Sequence, residues 1–255
     1  MEGIEDFVRN EILPVYANTH TTASATGMQT TLFRAEARSI VRRALGCENN
    51  RDAVLFTGTG CTGAIGKMLD LLKSTHLWKA AAAAGTPPLV LVGPYEHHSN
   101  LLPWRESGCL VISVQEADAG GVDMEDLERV LTEHKAKPLK IGTFSAASNL
   151  TGILCDTVAI SIALHRHGAL AFFDYATAGP YTVINMNPVL QEPALAALQP
   201  YAYKDAVFLS PHKFVGGVAT PGILAFKKHI LDSGVAFGGG PPPALPGWLV
   251  HEYKN

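Results

Sequence analysis

Five reactive features each stand directly after a short apolar run in this chain of 255 residues. Lys213 follows "AVFLS" in the stretch "VFLSPHKFVGG", flanked by Ser210, His212, Gly216 and Gly217. Asp174 closes "ALAFFD" and leads into "DYATAGP", which contains Thr177. Asn149 lies in "AASNLTG", after "KIGTFS". His97 and His98 lie in "GPYEHHSNLLPW", after "LVLVG". Gly60, Cys61 and Thr62 lie in "TGTGCTGAIGK", after "AVLFT".

Each residue type has a chemistry. A lysine amine forms an imine with a carbonyl. A carboxylate ending a strand of Ala, Leu and Phe is largely desolvated and needs a cationic partner. For Asp174 that partner is either Lys213, as a structural ion pair, or a protonated ring nitrogen. A glycine turn running into a helix presents N–H groups and a positive dipole end to a phosphate. An imidazole after a turn, such as His97, can stack on a flat ring. Phosphate cradle, ring stacker, buried carboxylate and lysine together describe a site for pyridoxal 5'-phosphate, with Asp174 keeping the pyridine nitrogen protonated so that the ring acts as an electron sink.

The turn also supports a rival. Gly58, Gly60 and Gly63 match G-x-G-x-x-G, a dinucleotide pattern. That reading needs an acid for the ribose at the end of the next strand, roughly 20 residues on. "KAAAAAGTPP" fills the interval, and the next acid after a strand is Glu96, beyond a Gly-Pro-Tyr turn. An NAD-dependent oxidoreductase is therefore the weaker alternative.

These positions need a scaffold. Seven apolar runs recur: 53–57, 89–93, 110–114, 140–145, 169–174, 206–210 and 222–226. Most are apolar on both faces, as strands covered by helices must be. Helical patterns separate several of them. "RAEARSIVRRALG" puts Ala37, Ile40, Val41 and Ala44 on one stripe and stops at Gly46. "DMEDLERVLTEHK" has Val122, Leu127, Val130 and Leu131 for its buried side, and "CDTVAISIALHRHG" runs from Asp156 to Gly168. Alternating strands and helices imply an α/β fold with a mostly parallel sheet, whose ligands bind at the carboxyl ends of the strands. "HTTASATGMQTT" (20–31) reads as an irregular segment over the sheet. Pro241–Pro243 cannot join a central strand or a helix interior.

Composition narrows the function classes. The chain is 47% hydrophobic and 17% charged, with a net charge of −3. No basic cluster points to nucleic acid or an anionic membrane. No apolar stretch is long enough to span a bilayer, and the acidic start "MEGIEDFVRNEILP" lacks the apolar core of a signal peptide. Cys47, Cys61, Cys109 and Cys155 lie far apart without C-x-x-C spacing, which argues against a zinc site and fits free thiols in a reducing, cytoplasmic setting.

In combination and order, "GCTGAI", "EHHSNLLPW", "SNLTG", "FFDYA" and "SPHKFVGG" resemble the class V aminotransferases, pyridoxal-phosphate enzymes, in their cysteine desulfurase and selenocysteine lyase branch. The resemblance runs from about residue 15 to about residue 240. It implies the three-layer large domain of the fold type I enzymes, with a seven-stranded sheet, an amino-acid substrate and a homodimer. It implies catalytic roles for Lys213 as the imine lysine, Asp174 as the pyridinium partner and His97 as the ring stacker. Asn149 matches the residue at the ring hydroxyl or substrate, Gly60, Cys61 and Thr62 the phosphate turn, and Ser210 and His212 the phosphate and lysine-loop contacts.

The departures are specific. Thr177 stands where the family usually has a glutamine on the ring hydroxyl, Gly63 where the phosphate turn usually carries a Glu, and Pro241 where "FGGG" is usually followed by Thr. The small domain, with its substrate-carboxylate arginine and nucleophilic cysteine, should follow residue 240. The expected organisation is an N-terminal helix and irregular segment (1–31), a cofactor-binding large domain (32–235) and an irregular tail (236–255), with the small domain missing. A non-catalytic homologue or truncated form used for binding or assembly is the other alternative.

Overall fold

The structure is a computed structural model and describes residues 1–231. The expected tail at 236–255, with "FGGG" and the three prolines, lies outside the described residues.

All seven apolar runs form strands: β1 Asp52–Phe56, β2 Leu89–Val92, β3 Leu110–Ser113, β4 Lys140–Ser145, β5 Leu170–Asp174, β6 Ala206–Leu209 and β7 Ile223–Lys227. They join one sheet in the order β1-β7-β6-β5-β4-β2-β3. β7 runs antiparallel to both neighbours, and every other pairing is parallel. The carboxyl ends of β1, β2, β4, β5 and β6 therefore face the same way, and the loops leaving them meet.

The two-sided apolarity of the runs has a direct packing consequence. Side chains alternate across a strand. Leu89, Leu91, Phe144, Phe173 and Val207 point into one core, shared with Leu127, Leu131, Ile160 and Leu164. Val90, Val92, Ile141, Phe172 and Phe208 point into the other, shared with Ile65, Met68, Trp78 and Trp104. The chain forms helices α1 Glu2–Phe7, α2 Ala25–Ala44, α3 Gly60–Ser74, α4 His76–Ala83, α5 Leu102–Glu106, α6 Met124–Glu133 and α7 Thr157–Arg166, of which α3 to α7 supply these partners. The result is three layers, helix on sheet on helix.

Several helix ends follow from single residues. Gly46, at φ +60°, closes α2 in a Schellman arrangement, with its N–H on the Arg43 carbonyl and the Cys47 N–H on the Arg42 carbonyl. Asp123 and Asp156 cap α6 and α7 by accepting from the N–H groups two and three residues on. Two expectations need correction. The 20–31 stretch is not irregular throughout: α2 begins at Ala25, because the Ser24 hydroxyl accepts from the Gly27 N–H and caps it there. Val122 lies ahead of α6, in a bridge with Glu116, rather than on the helix.

Candidate active site

The turn between β1 and α3 is built by close backbone approach. Gly60 has φ +56°, and a Cβ there would come within 2.6 Å of His212 Cε1 and 2.8 Å of Ser210 Oγ. A Cβ on Gly222 would come within 2.1 Å of the Gly60 carbonyl oxygen. Only glycine admits both contacts. The start of α3 thus lies against the end of β6, and the Cys61 N–H donates to the buried Ser210 hydroxyl at 2.8 Å.

The lysine loop is equally tight. Ser210–Phe214 turns back through Lys213 N–H to the Ser210 carbonyl and Phe214 N–H to the Pro211 carbonyl. Gly217 packs so closely that a Cβ would sit 1.9 Å from the Pro211 oxygen. The Lys213 side chain is exposed, and its ammonium makes no hydrogen bond or ion pair among the described residues.

Asp174, at the end of β5, is 4% exposed. It accepts from the Ala176 N–H at 2.8 Å and forms no ion pair among the described residues. Burial pushes its carboxyl up, against the pull of the Cys61 thiol, the Ala176 N–H and the charges of Lys213 and His97. The structural ion pair with Lys213 is therefore not formed.

His97 accepts at Nδ1 from the Ser99 N–H. Its neighbour Glu96 holds the turn in place. The Glu96 carboxyl is enclosed and accepts from Ser145 N–H (2.7 Å), Ser145 hydroxyl (2.9 Å), the Asn100 amide (2.6 Å) and Gly93 N–H (3.2 Å). Those bonds clamp the ends of β2 and β4 together. Desolvation pushes Glu96 up to about 7, against those donors. With every oxygen engaged by the protein, Glu96 is not placed as the ribose acid that a dinucleotide site requires.

Asn149 is exposed in a turn held by the Ser148 hydroxyl, which accepts from Leu150 N–H and Thr151 N–H. One cleft of about 360 Å³ is lined by all ten residues singled out from the sequence: Gly60, Cys61, Thr62 and His97; Asn149, Asp174 and Thr177; and Ser210, His212 and Lys213. Ser99, Ser145, Thr59, Ala147 and Ala176 complete its walls. Ser99 and Ser145 were not among the candidates, and Glu96 was one only as a ribose acid. The signal for Glu96 was its place beside His97 in "EHHSN"; its burial carried no signal.

At Cys61 it is the backbone that meets β6: its N–H donates to the Ser210 hydroxyl, and the residue is 3% exposed where α3 begins beside the cleft. Burial pushes its thiol far above the ordinary range, the Asp174 charge adding to the rise. Among the described residues, no group of His, Cys, Asp or Glu is placed to hold a metal, and no helix is long and apolar enough to cross a membrane.

A seven-stranded, mostly parallel sheet between two helical layers is the large-domain fold of the fold type I pyridoxal-phosphate enzymes. A model of the class-V aminotransferases matches residues 5–240, and the chain belongs to that family. A probable cysteine desulfurase of Halalkalibacterium halodurans is 26% identical over 245 residues, covering 94% of this chain and 53% of that protein. A probable cysteine desulfurase of Chlamydia muridarum is 29% identical over 143 residues, 54% of this chain and 32% of the other. Among solved structures, an apo cysteine desulfurase from Thermococcus onnurineus superposes with a TM-score of 0.66 at 20% identity, covering 96% of this chain and 53% of its own. A NifS-like protein from Rickettsia africae does so with a TM-score of 0.65 at 17% identity, covering 96% and 57%. The chain spans about half the length of the curated full-length relatives it matches.

Proposed function

We propose that this chain is the pyridoxal-phosphate-binding large domain of a cysteine-desulfurase-like enzyme, acting on an amino acid. The observation that carries the reading is a lysine and a buried carboxyl in one cleft, the Lys213 ammonium and Asp174, neither ion-paired among the described residues. A buried carboxylate left unpaired is costly unless a cation arrives. A protonated pyridine nitrogen is such a cation.

The residues fit the group. The glycine-built turn and Ser210 offer donors to a phosphate, with His212 beside them. His97 would cover the ring, and Asn149 and Thr177, which line the same cleft, would serve its hydroxyl. When bound, pyridoxal phosphate supplies an electron sink for charge developing on a substrate carbon. The chain's own work is then positional. Lys213 would hold the cofactor covalently and move the substrate proton. Asp174 would keep the ring nitrogen protonated, and the turn would anchor the phosphate. The exposed apolar side chains beside Asn149 and Lys213, Leu150 at 89% and Val215 at 91%, suit a second copy packing over the cleft mouth as a homodimer. Four free thiols suit the cytoplasm.

Borohydride reduction of the cofactor-treated chain followed by peptide mapping tests the assignment. Modification at Lys213, and loss of the visible absorption band in Lys213→Ala, is the expected result. Modification at Lys204 or Lys227, or no band at all, would overturn it.

A further inference from the structure

Ser99 had no part in the sequence reading, yet it joins two walls of the cleft. Its hydroxyl receives the Thr62 hydroxyl proton at 2.8 Å and lies 2.9 Å from His97 Nδ1. Its backbone N–H donates to that same Nδ1 at 3.1 Å. The direction of this chain of bonds follows from the donors. A ring nitrogen that accepts from an N–H carries no proton, so a neutral His97 bears its proton on Nε2. With the Thr62 proton aimed at it, Ser99 Oγ has its own proton for Nδ1. The bonds therefore run from Thr62 to Ser99 to His97, linking the first turn of α3 to the turn after β2.

Two further features make the link consequential. His97 is exposed, and its neighbour His98 lies at a ring-centroid distance of 6.2 Å in a tilted arrangement, too loose to fix the ring. No other side-chain hydrogen bond to the His97 ring occurs among the described residues. The Thr62 hydroxyl, for its part, has a single proton. It cannot serve Ser99 and a phosphate at once.

We infer that Ser99 is a positioning residue: it holds the His97 imidazole in one tautomer and orientation, and it makes that orientation responsive to an anion at the α3 turn. The inference rests on the proposed cofactor site only in that His97 faces the ring and Thr62 the phosphate. When a phosphate draws the Thr62 proton away, Ser99 Oγ loses its incoming bond and is left to His97 alone. Occupancy of the turn is thereby reported to the imidazole.

The test uses the chain labelled with 15N-histidine, observed by long-range proton–nitrogen correlation, first without ligand and then with inorganic phosphate. The wild type should show His97 protonated at Nε2 and bare at Nδ1, and phosphate should shift both nitrogens. Ser99→Ala keeps only the backbone N–H on Nδ1. Its Nδ1 resonance should move toward that of a free imidazole, and the response to phosphate should vanish. Ser99→Thr should restore both. With pyridoxal phosphate, Ser99→Ala should weaken binding about threefold to tenfold, the worth of one hydrogen bond, with attachment still at Lys213. His97 resonances and phosphate response unchanged in Ser99→Ala, or a wild-type ring protonated at Nδ1, would overturn the inference. If instead the cofactor never attaches at Lys213, the cofactor assignment fails, and the spectra without cofactor still decide the role of Ser99.

Discussion

Glu96 offers the most direct test of how the cleft is held. Replacing it with alanine removes the acceptor for four donors. The Ser145 hydroxyl faces the cleft and can turn to water, and the Gly93 bond is long at 3.2 Å. The Ser145 N–H and the Asn100 amide cannot escape, since these residues are 6% and 0% exposed. A buried donor left unpaired costs about 1–3 kcal/mol, so Glu96→Ala should cost about 3–4 kcal/mol once both are counted. Glu96→Gln keeps one carbonyl for the Ser145 N–H but turns an amide donor toward Asn100, and should cost about 1–2 kcal/mol. The pH dependence is sharper still. Burial raises the carboxyl from 4.5 to about 7. A raised folded value means that the stability this group contributes is complete below its unfolded value and is lost as pH rises through about 7. Between pH 5 and pH 8 the wild type should therefore lose about 2 kcal/mol relative to Glu96→Gln, which has no such proton to release. Urea unfolding of the three proteins at both pH values measures this directly. A wild-type advantage that grows with pH, or an alanine variant within 1 kcal/mol (roughly the scatter of surface changes) of wild type, would refute the reasoning.

Two further outcomes follow from buried groups away from Glu96. His165 sits between two acceptors, Asp205 Oδ2 at 2.7 Å and the Tyr201 carbonyl at 2.8 Å, so it carries both ring protons. Burial works to lower it, but the Asp205 carboxylate and the Tyr201 carbonyl together raise it. In Asp205, burial works upward, and the hydrogen bond from His165 and the close approach of the His229 ring hold the carboxyl well down. The pair should stabilise the fold most between about pH 4 and about 6.5, losing that contribution as pH rises through the folded His165 value and as it falls toward that of Asp205. Thermal melts of His165→Gln should show a flatter profile from pH 6 to 9 (roughly the range a raised imidazole titrates), and parallel profiles would count against the pair. The thiols are the second case: burial pushes Cys47 up to about 12 and Cys155 up to about 11, and raises Cys61 and Cys109. The native chain should resist iodoacetamide at pH 8 and release no sulfide from cysteine above the rate of free cofactor, since only a thiolate attacks. Rapid native labelling of Cys61, or turnover lost in Cys61→Ser, would show that the thiol in the cleft is active.

Much of the fold was legible because strands buried on both faces must read as apolar runs. Seven such runs gave seven strands within a residue or so at each end, and the caps at Asp123, Asp156 and Gly46 follow local rules that need no tertiary context. The candidate residues were legible for a related reason: in a parallel sheet the loops after successive strands share one edge, so position after a run is already position in space. Local pattern misplaced the start of α2, where a Ser24 cap overrides a Thr- and Gly-rich composition.

What the sequence determined by itself is thus the layer architecture and the placing of ten candidate residues at one edge of the sheet. Tertiary structure decided the rest, through contacts between residues far apart in the chain. The first turn of α3 docked on β6 because Ser210, 149 residues away, accepts from the Cys61 N–H. Glu96 became a buried clamp only when Ser145, 49 residues on, brought its N–H and hydroxyl to it. Ser99 met Thr62 because β1 and β2, though apart in the sheet, send their loops over the same edge. Hydrogen bonds of this kind have directions and distances that no periodicity encodes, and so the partners of a reactive residue, unlike its address, appear only when the chain is folded.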